Sequence, residues 1–511
     1  MTHLLAAETG ESLAVNGPPG TGKTTLLLSV VATLWAEAAI ADAEPPVVVA
    51  ASTNNQAVTN VIDAFGKDFA TGEGPFAGRW LPGVKSFGAY FPSADKEAEA
   101  SQRYQTGSFF EIFLLTTHYW EGRWLLEMQE LLPKIEEVRR QRRRAALEER
   151  WRRWMKLTPC IVSTLFMLPK HMVFRKRGDG GPVDDYLYDF ADLLIVDEAG
   201  QVLPEVAGAS FALGKKALVI GDTLQIEPIW SIPPSVDIGN LHSANLLADE
   251  NDDDGYDHLS EIGKTAARGS VMRIAQTLTR YHYDPDLARG MFLYEHRRCF
   301  DEIIGYCNAL CYRGKLIPRR KPKTQAPANE QDGLPAIGYL HIGGICQKSG
   351  GGSRRNVHEA ETIAAWLAER RATLETAYRQ PLHRIVGVVT PFGGQVRAIS
   401  NACRSVGIKV GNGDGMTVGT VHSLQGAERP VVIFSPTYTK HADGGFIDRS
   451  ASMLNVAVSR AKNTFLVFGD MDSFESAPTA TPRGLLATYL FRHSTNALRF
   501  EHRIRQDLRG G

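Results

Sequence analysis

The segment that most constrains the fold of this chain is GPPGTGKTT, at residues 17–25. It lies between a predicted short strand, ESLAVN, and a predicted amphipathic helix, TLLLSVVATLW, which is the setting that the pattern G-x-x-x-x-G-K-[ST] requires. Glycine lets backbone N–H groups turn toward phosphate oxygens, and the amino end of a helix adds a favourable dipole. The segment predicts a phosphate-binding loop for a nucleotide, formed by Gly17, Pro18, Pro19, Gly20, Thr21, Gly22, Lys23, Thr24 and Thr25. Within the loop, Lys23 would reach the β- and γ-phosphates and Thr24 would ligate Mg²⁺.

Polar residues that follow two apolar strands, in LLIVDEAGQ and VIGDTLQ, indicate hydrolysis of the bound nucleotide. In LLIVDEAGQ, Asp197 fits the Mg²⁺ carboxylate and Glu198 fits the base that deprotonates water, unless both are solvated loop residues. In VIGDTLQ, Gln225 suits a γ-phosphate sensor, although GDxxQ alone is also an ordinary turn.

The order of predicted elements indicates an α/β protein with two large domains. A chain of 511 residues exceeds what one hydrophobic core usually supports. Strands and helices alternate from residue 12, with a buried strand over 47–51, and polar residues fall at strand carboxyl ends, where open parallel sheets bind ligands. We predict domains at 1–290 and 291–511, and a surface loop at the acidic residues 248–257.

A helical insertion is predicted over about 93–156 in the first domain. Its end, KIEEVRRQRRRAALEERWRRWMK, is rich in Arg, with Trp151 and Trp154 interleaved. Two interpretations stay open: a solvated, salt-bridged helix face, or a contact with a nucleic-acid backbone.

The remaining composition excludes some classes of protein. No stretch of 18 or more uncharged apolar residues is present, and the first residues lack the basic segment followed by an apolar segment that is typical of a signal peptide. We therefore expect a cytoplasmic protein without a membrane partner. The six cysteines lack C-x-x-C spacing, so they are expected to be reduced thiols, with a metal site at Cys299, Cys307 and Cys311 as the alternative. The net charge of zero provides no global electrostatic field that would point to a polyanionic partner, so any evidence for one must come from local charged patches.

Seven blocks together resemble a known family. In order, GPPGTGKTT, DEAGQ, GDTLQIEP, EHRRC, TPFGGQ, TVHSLQGAE and NVAVSRAK resemble superfamily 1B helicases of the Upf/Sen type, the AAA_11/AAA_12 or DNA2/NAM7-like group. The resemblance covers Gly17 to about Asp470. It implies two RecA-like P-loop lobes with parallel sheets, a helical insertion in the first lobe, ATP and Mg²⁺ as cofactors, and single-stranded DNA or RNA as partner. It names no protein partner.

The resemblance also implies roles for individual residues. Arg297 of EHRR and Arg460 of VSRAK would point at the γ-phosphate as catalytic arginines beside Lys23, Glu198 and Gln225. Gly426 and Glu428 would lie by the nucleotide, and His296 stands where the family has a base-packing aromatic residue. Residues 1–16 contain no Gln of the kind that reads adenine in the family, which leaves nucleotide preference open. The nucleic acid would contact Asn54, Asn55, Ser163, Thr164, Thr390, Pro391, Phe392, Thr420 and His422.

Phe392 is as readily a core residue as a stacking one. Thr420 and His422 lie one strand period apart, so both face one side of the predicted strand.

The resulting hypothesis is an ATP-dependent helicase or translocase on single-stranded nucleic acid, moving 5′ to 3′ as relatives in this branch do. A nucleic-acid clamp or remodelling switch that hydrolyses ATP without unwinding is the alternative. A P-loop kinase is a third possibility, which Glu198 and the two arginines disfavour.

Overall fold

The computed structural model of this chain describes residues 1–53, 55–66, 88–107, 143–249, 251–327, 330, 332–348, 353–411, 413–421, 428–441 and 445–500. The chain divides into two compact units. The first comprises Met1–Gly17, Lys23–Thr223 and Glu227–Leu293, and the second comprises Pro18–Gly22, Leu224–Ile226 and Tyr294–Gly511. The main division thus falls after Leu293, slightly beyond the boundary predicted near Gly290.

The first unit contains a parallel sheet. Its strands are β1 (Ser12–Asn16), β2 (Val48–Ser52), β3 (Ala89–Phe91), β4 (Ile161–Thr164), β7 (Leu193–Val196), β8 (Ala217–Gly221) and β9 (Met291–Phe292), while β5 (Val173–Gly178) and β6 (Gly181–Tyr186) form a separate antiparallel hairpin. The strand order is β3-β4-β2-β7-β8-β1-β9. Strand β8 therefore lies between β1, which precedes the phosphate loop, and β7, which precedes Asp197.

Both faces of this sheet are buried, which explains its nearly continuous apolar strands. In β2, Val49 and Ala51 pack into one hydrophobic cluster, and Val48 and Ala50 pack into another on the opposite face. The helices around the sheet are α1 (Thr2–Leu5), α2 (Lys23–Ile40), α3 (Asn55–Gly66), α4 (Glu97–Ser101), α5 (Arg144–Met155), α6 (Leu168–His171), α7 (Pro204–Phe211), α8 (Pro234–Ser243), α9 (Asp253–Glu261) and α10 (Val271–Leu278).

Helix α5, at the end of the predicted insertion, packs into the core of the first unit. Trp151 is fully buried and Trp154 is 6% exposed, and both rings contact Phe91 of β3, with centroids 5.9 Å and 4.9 Å away. The outer face carries ion pairs one helical turn apart, including Arg144 with Glu148 at 2.7 Å. The tryptophans are thus core residues, and this part of the insertion follows the interpretation of a salt-bridged helix face. Residues 108–142 lie outside the described residues.

The carboxyl end of β1 is tied to the last segment of the first unit. The Asn16 side-chain nitrogen donates to the backbone oxygens of Ala288, Arg289 and Met291 at 3.3, 3.0 and 3.1 Å, and Asn16 Oδ1 accepts from Gln276 at 2.6 Å. Gly290 has a φ of +113°, and a Cβ there would lie 2.8 Å from the backbone oxygen of Ala14, so this close approach requires glycine.

The second unit has its own parallel sheet. Its strands are β12 (Ile337–His341), β15 (Val386–Thr390), β16 (Thr417–Thr420), β17 (Arg429–Phe434) and β18 (Ala461–Gly469), in the order β12-β18-β17-β15-β16. Short pairs are formed by β10 (Glu295–His296) with β11 (Ile317–Pro318), and by β13 (Gln347–Lys348) with β14 (Arg354–Arg355). The helices are α11 (Asp301–Cys311), α12 (Val357–Tyr378), α13 (Leu382–Ile385), α14 (Gly393–Ser405), α15 (Gly445–Asp448), α16 (Ala451–Ser459), α17 (Asp472–Glu475) and α18 (Pro482–Leu490). The prediction of an α/β protein with parallel sheets is confirmed.

Three expectations about local structure need comment. The acidic residues 248–257 are not all loop, because α9 begins at Asp253, where the Asp252 side chain caps the helix by accepting from Gly255 N at 2.9 Å. Cys299 and Cys307 are buried thiols that donate to backbone oxygens, and burial raises the pKa of Cys299 to about 12, so they are unsuited to bind a metal as thiolates. Helix α2 is long and apolar enough to cross a membrane by length and composition alone, but its first residue is Lys23 of the phosphate loop.

Candidate active site

The predicted phosphate loop lies between β1 and α2, as the sequence indicates. Gly20 and Gly22 have φ values of +68° and +89°, a region open to glycine without steric cost. Lys23 Nζ donates to the Gly17 backbone oxygen at 3.0 Å, which folds the lysine side chain back over the loop. Thr24 and Thr25 are exposed in the first turn of α2. The amino end of α2 and the ammonium group of Lys23 therefore provide the positive electrostatic potential that favours binding of a phosphate group.

Two carboxylates stand at the end of β7, in the same unit as Lys23. Glu198 Oε1 lies 3.6 Å from Lys23 Nζ, and Asp197 Oδ1 accepts from the Glu198 backbone N–H at 2.9 Å. Glu198 has a φ of +52°, the left-handed region that a glutamate rarely adopts and that often marks functional sites. Burial, and then the charge of Glu198, raise the pKa of Asp197 to about 6 despite the nearby Lys23.

Two glycines allow the loops after β7 and β8 to touch. A Cβ on Gly200 would lie 2.6 Å from the backbone oxygen of Asp222, and a Cβ on Gly221 would lie 2.8 Å from Gly200 N. These positions went unnoticed in the sequence, where the glycines of DEAGQ and VIGD were available as a signal. The close approach fixes the backbone next to the two carboxylates.

Gln225 and Arg460 contact each other within the second unit. Arg460 Nη2 donates to Gln225 Oε1 at 3.2 Å, and Arg460 is only 5% exposed. Asn455 of α16 donates to the Leu224 backbone oxygen at 2.8 Å and so holds the segment that carries Gln225. Sequence reasoning named Gln225 and Arg460 separately but missed Asn455, which is the first residue of the NVAVSRAK block and lies five residues before Arg460.

Arg297 adopts an exposed position in this structure. Its guanidinium forms an ion pair with Glu295, which also pairs with Arg319 at 2.6 Å, and its side chain is 69% exposed. Its backbone N–H donates to the Gly20 oxygen at 3.0 Å, so its backbone lies at the phosphate loop. The assignment of Arg297 to the γ-phosphate stays a prediction.

His296 is not available to pack on a base. It is fully buried, Nδ1 contacts the Pro19 oxygen at 2.7 Å, and Nε2 accepts from the Cys299 N–H at 2.8 Å. Burial lowers its pKa to about 4, so the ring is neutral. The expectation of weak stacking at this residue is therefore wrong, because both ring nitrogens support the backbone of the unit.

Glu428 is held by two cations that sequence reasoning did not single out. Its carboxylate pairs with Arg298 Nε at 2.6 Å and with Lys462. Burial raises the pKa of Glu428, but the combined attraction of Arg298, Lys462 and Arg460 outweighs it and leaves the pKa below the usual value. Its role beside a nucleotide stays a prediction, and Gly426 lies outside the described residues.

The residues predicted to contact nucleic acid are only partly at the surface. Ser163 is fully buried and donates to the Phe91 oxygen at 2.8 Å, and Thr390 is fully buried against Thr437, with their hydroxyl oxygens 3.2 Å apart. These two side chains support the edge of their sheets and are not exposed to a nucleic-acid strand. Their prediction as nucleic-acid contacts is therefore corrected.

Phe392 packs against Tyr438 and Phe446, with ring centroids 5.3 and 5.4 Å away, so it is a core residue and the stacking interpretation is wrong. Thr164, Pro391 and Thr420 are partly exposed at strand ends. Asn54, the side chain of Asn55, and His422 lie outside the described residues.

The donor set at the end of β7 fits a divalent cation. Mg²⁺ prefers carboxylate and hydroxyl oxygens, and Asp197 and Thr24 offer one of each within the first unit. Two adjacent carboxylates whose mutual repulsion raises the pKa of Asp197 would gain from a nearby positive charge.

Known proteins resemble this chain in both halves. Residues 275–472 match the AAA_12 family of AAA domains. The chain is 28% identical over 175 residues to 5′-3′ DNA helicase ZGRF1 of Mus musculus, covering 34% of this chain and 9% of that protein. It is 26% identical over 344 residues to the uncharacterized ATP-dependent helicase MG140 homolog of Mycoplasma pneumoniae, covering 62% and 26%. It is 33% identical over 95 residues to helicase sen1 of Schizosaccharomyces pombe, covering 18% and 5%.

These similarities support the resemblance to superfamily 1B helicases of the Upf/Sen type that the motifs indicate. The chain spans about a quarter or less of the length of those three relatives. Their activities as whole proteins therefore do not define its own.

Proposed function

We propose that this chain is a superfamily 1B helicase or translocase that uses ATP and acts on single-stranded nucleic acid. The observation that carries the proposal is the placement of Lys23 Nζ 3.6 Å from Glu198 Oε1, beside Asp197. A lysine that binds phosphate and a carboxylate that activates water must meet at one nucleotide for hydrolysis to occur. The AAA_12 match and the similarity to helicases support the coupling of that hydrolysis to nucleic acid.

In the proposed mechanism, the phosphate loop and Lys23 bind the triphosphate, and Glu198 accepts a proton from the attacking water. Asp197 and Thr24 would hold Mg²⁺, which supplies charge neutralisation to the phosphates when bound. Gln225 is proposed as the γ-phosphate sensor. Arg460, whose guanidinium contacts that amide, is proposed to stabilise the negative charge that develops on the phosphoryl oxygens, together with Arg297.

In the proposed cycle, ATP binding closes the two lobes, hydrolysis reopens them, and each lobe holds the strand in turn. A 5′-to-3′ direction is supported by the similarity to the mouse 5′-3′ DNA helicase ZGRF1. Partly exposed strand ends, at Thr164, Pro391 and Thr420, would contact the sequence-independent backbone of the strand. We also propose a cytoplasmic location and no membrane partner.

The second candidate function is a clamp or remodelling switch that hydrolyses ATP without separating strands. It shares the whole nucleotide site, so only the mechanical output distinguishes it. A kinase is disfavoured, because Glu198 next to Lys23 suits attack by water better than transfer to an acceptor.

The test is phosphate release by the purified chain with matched DNA and RNA single strands at fixed salt, followed by strand displacement on a tailed duplex. Stimulation together with ATP-dependent displacement is expected. Stimulation without displacement would favour the switch. No stimulation by either strand would contradict both, and phosphate appearing on an acceptor would revive the kinase.

A further inference from the structure

A buried polar network lies at the carboxyl edge of the second unit's sheet. Thr437 N donates to Glu359 Oε1 at 3.0 Å, and the Ser435 hydroxyl is hydrogen-bonded to the same oxygen. Gln395 Nε2 donates to Ser435 Oγ and to the Asn356 backbone oxygen, each at 3.1 Å, and Gln395 Oε1 accepts from Asn356 N at 2.7 Å. All five residues are fully buried. The network therefore joins the starts of α12 and α14 to the segment after β17.

This network fixes a backbone segment that has an unfavourable conformation by itself. Thr437 has a φ of +68°, which costs energy for a β-branched residue and persists only when its surroundings hold it. The Glu359 carboxyl group supplies that hold through the Thr437 N–H, and the Thr437 hydroxyl contacts Thr390 at the end of β15. The strained segment and the strand end thus form one rigid edge.

The Glu359 side chain has no countercharge among its described hydrogen-bond partners, which are a hydroxyl, a backbone N–H and the Asn356 amide. The pKa of Glu359 is raised to about 8, mainly because the carboxyl group is buried. The hydrogen bonds from Ser435 and Thr437 oppose this rise, and the charge of Asp470 after β18 adds to it. Glu359 is therefore mainly protonated at neutral pH, and the network is built around a neutral acid.

We propose that Glu359 is a positioning residue for nucleic-acid binding, which fixes residues 435–437 against Thr390 so that the neighbouring strand ends can receive a single strand. The proposal rests on the proposed function, because it assumes that this edge of the second unit contacts the strand. Glu359 itself touches neither strand nor nucleotide. Its influence reaches the surface through Thr437 and Thr390, next to the partly exposed Pro391.

The experiment compares Glu359→Ala and Glu359→Gln with the wild-type chain and with Glu361→Gln, an exposed glutamate on the same helix. The strand concentration for half-maximal ATPase stimulation is measured with oligo-dT and oligo-rU, from about pH 7 to about pH 9. Glutamine is neutral at every pH and can keep the bonds to Ser435 and Thr437. Alanine removes them.

The expected result is a rise of about tenfold or more in that concentration for Glu359→Ala, with turnover at saturating strand and without strand little changed. Wild type and Glu361→Gln should both lose strand affinity as pH rises through about 8, because Glu359 then ionises inside the network, whereas Glu359→Gln should lose much less. This pH difference separates positioning from mere stability and remains measurable even where Glu359→Ala does not fold.

Equal pH dependence in wild type and Glu359→Gln, or an unchanged strand affinity in folded Glu359→Ala, would overturn the inference while leaving the proposed function standing. Absence of stimulation by both strands in the wild-type chain would overturn the proposed function and the inference together.

Discussion

Replacing Glu198 with glutamine tests the nucleotide site directly. The change keeps the size of the side chain, and the backbone hydrogen bond from residue 198 to Asp197 does not depend on it, so the left-handed conformation at this position should persist. It removes the carboxylate 3.6 Å from Lys23 Nζ and with it the proton acceptor for water. General-base catalysis contributes about 10²–10⁴ in rate. Turnover should fall by that factor, which is about 3–5 kcal/mol in the activation barrier.

Nucleotide binding should not fall in parallel, because removing a negative charge beside Lys23 lowers repulsion with the triphosphate. Phosphate release measures turnover, and a fluorescent ATP analogue measures affinity in the same preparation. Glu205→Gln, at an exposed glutamate in α7, is the matched control and should behave as wild type. Turnover of Glu198→Gln within about threefold of the wild type would refute the reasoning, because no general base is worth so little.

Three further changes follow from the structure. Arg460→Ala should lower strand-stimulated turnover by about 10³-fold or more, and Arg460→Lys should not restore it, since a lysine cannot reproduce the planar contact with Gln225; wild-type rates in either would contradict the assignment. Gly200→Ala should lower thermal stability and nucleotide affinity together, because its Cβ would lie 2.6 Å from the Asp222 backbone oxygen, at a cost of about 1–3 kcal/mol in the free energy of unfolding. Trp151→Ala should cost about 3–5 kcal/mol in denaturant unfolding, and strand affinity of the folded fraction should not change; a loss of affinity would favour the nucleic-acid interpretation of the insertion.

Elements with strong local signals were predictable from the sequence. The phosphate loop has a spacing tied to one geometry, and LLIVDE has an apolar run that must be buried on both faces and therefore ends in polar residues at a sheet edge. The first two strands agree with the structure within one residue at each end, as for the strand predicted at 47–51 and found at Val48–Ser52. Strand order was not predicted, because it depends on pairing between segments that are far apart in the chain.

Side-chain positions that depend on distant partners were not predictable. One ring nitrogen of His296 contacts the backbone oxygen of Pro19, which lies far away in the sequence, and no pattern in EHRRC indicates that contact. Ser163 is turned inward by Phe91, which lies far away in sequence. The helix at Asp253 was hidden because a run of acidic residues suggests a loop, whereas one of them serves as its cap.

The side chain of Asn16 has a mechanical consequence for this chain. Its amide group donates hydrogen bonds to the backbone oxygens of Ala288, Arg289 and Met291, just before the first unit ends at Leu293. The residue after Asn16 is Gly17, the first glycine of the phosphate loop. A shift of the segment before Leu293 would therefore be transmitted to the residue that precedes the phosphate loop, both through this amide and through the pairing of β9 with β1.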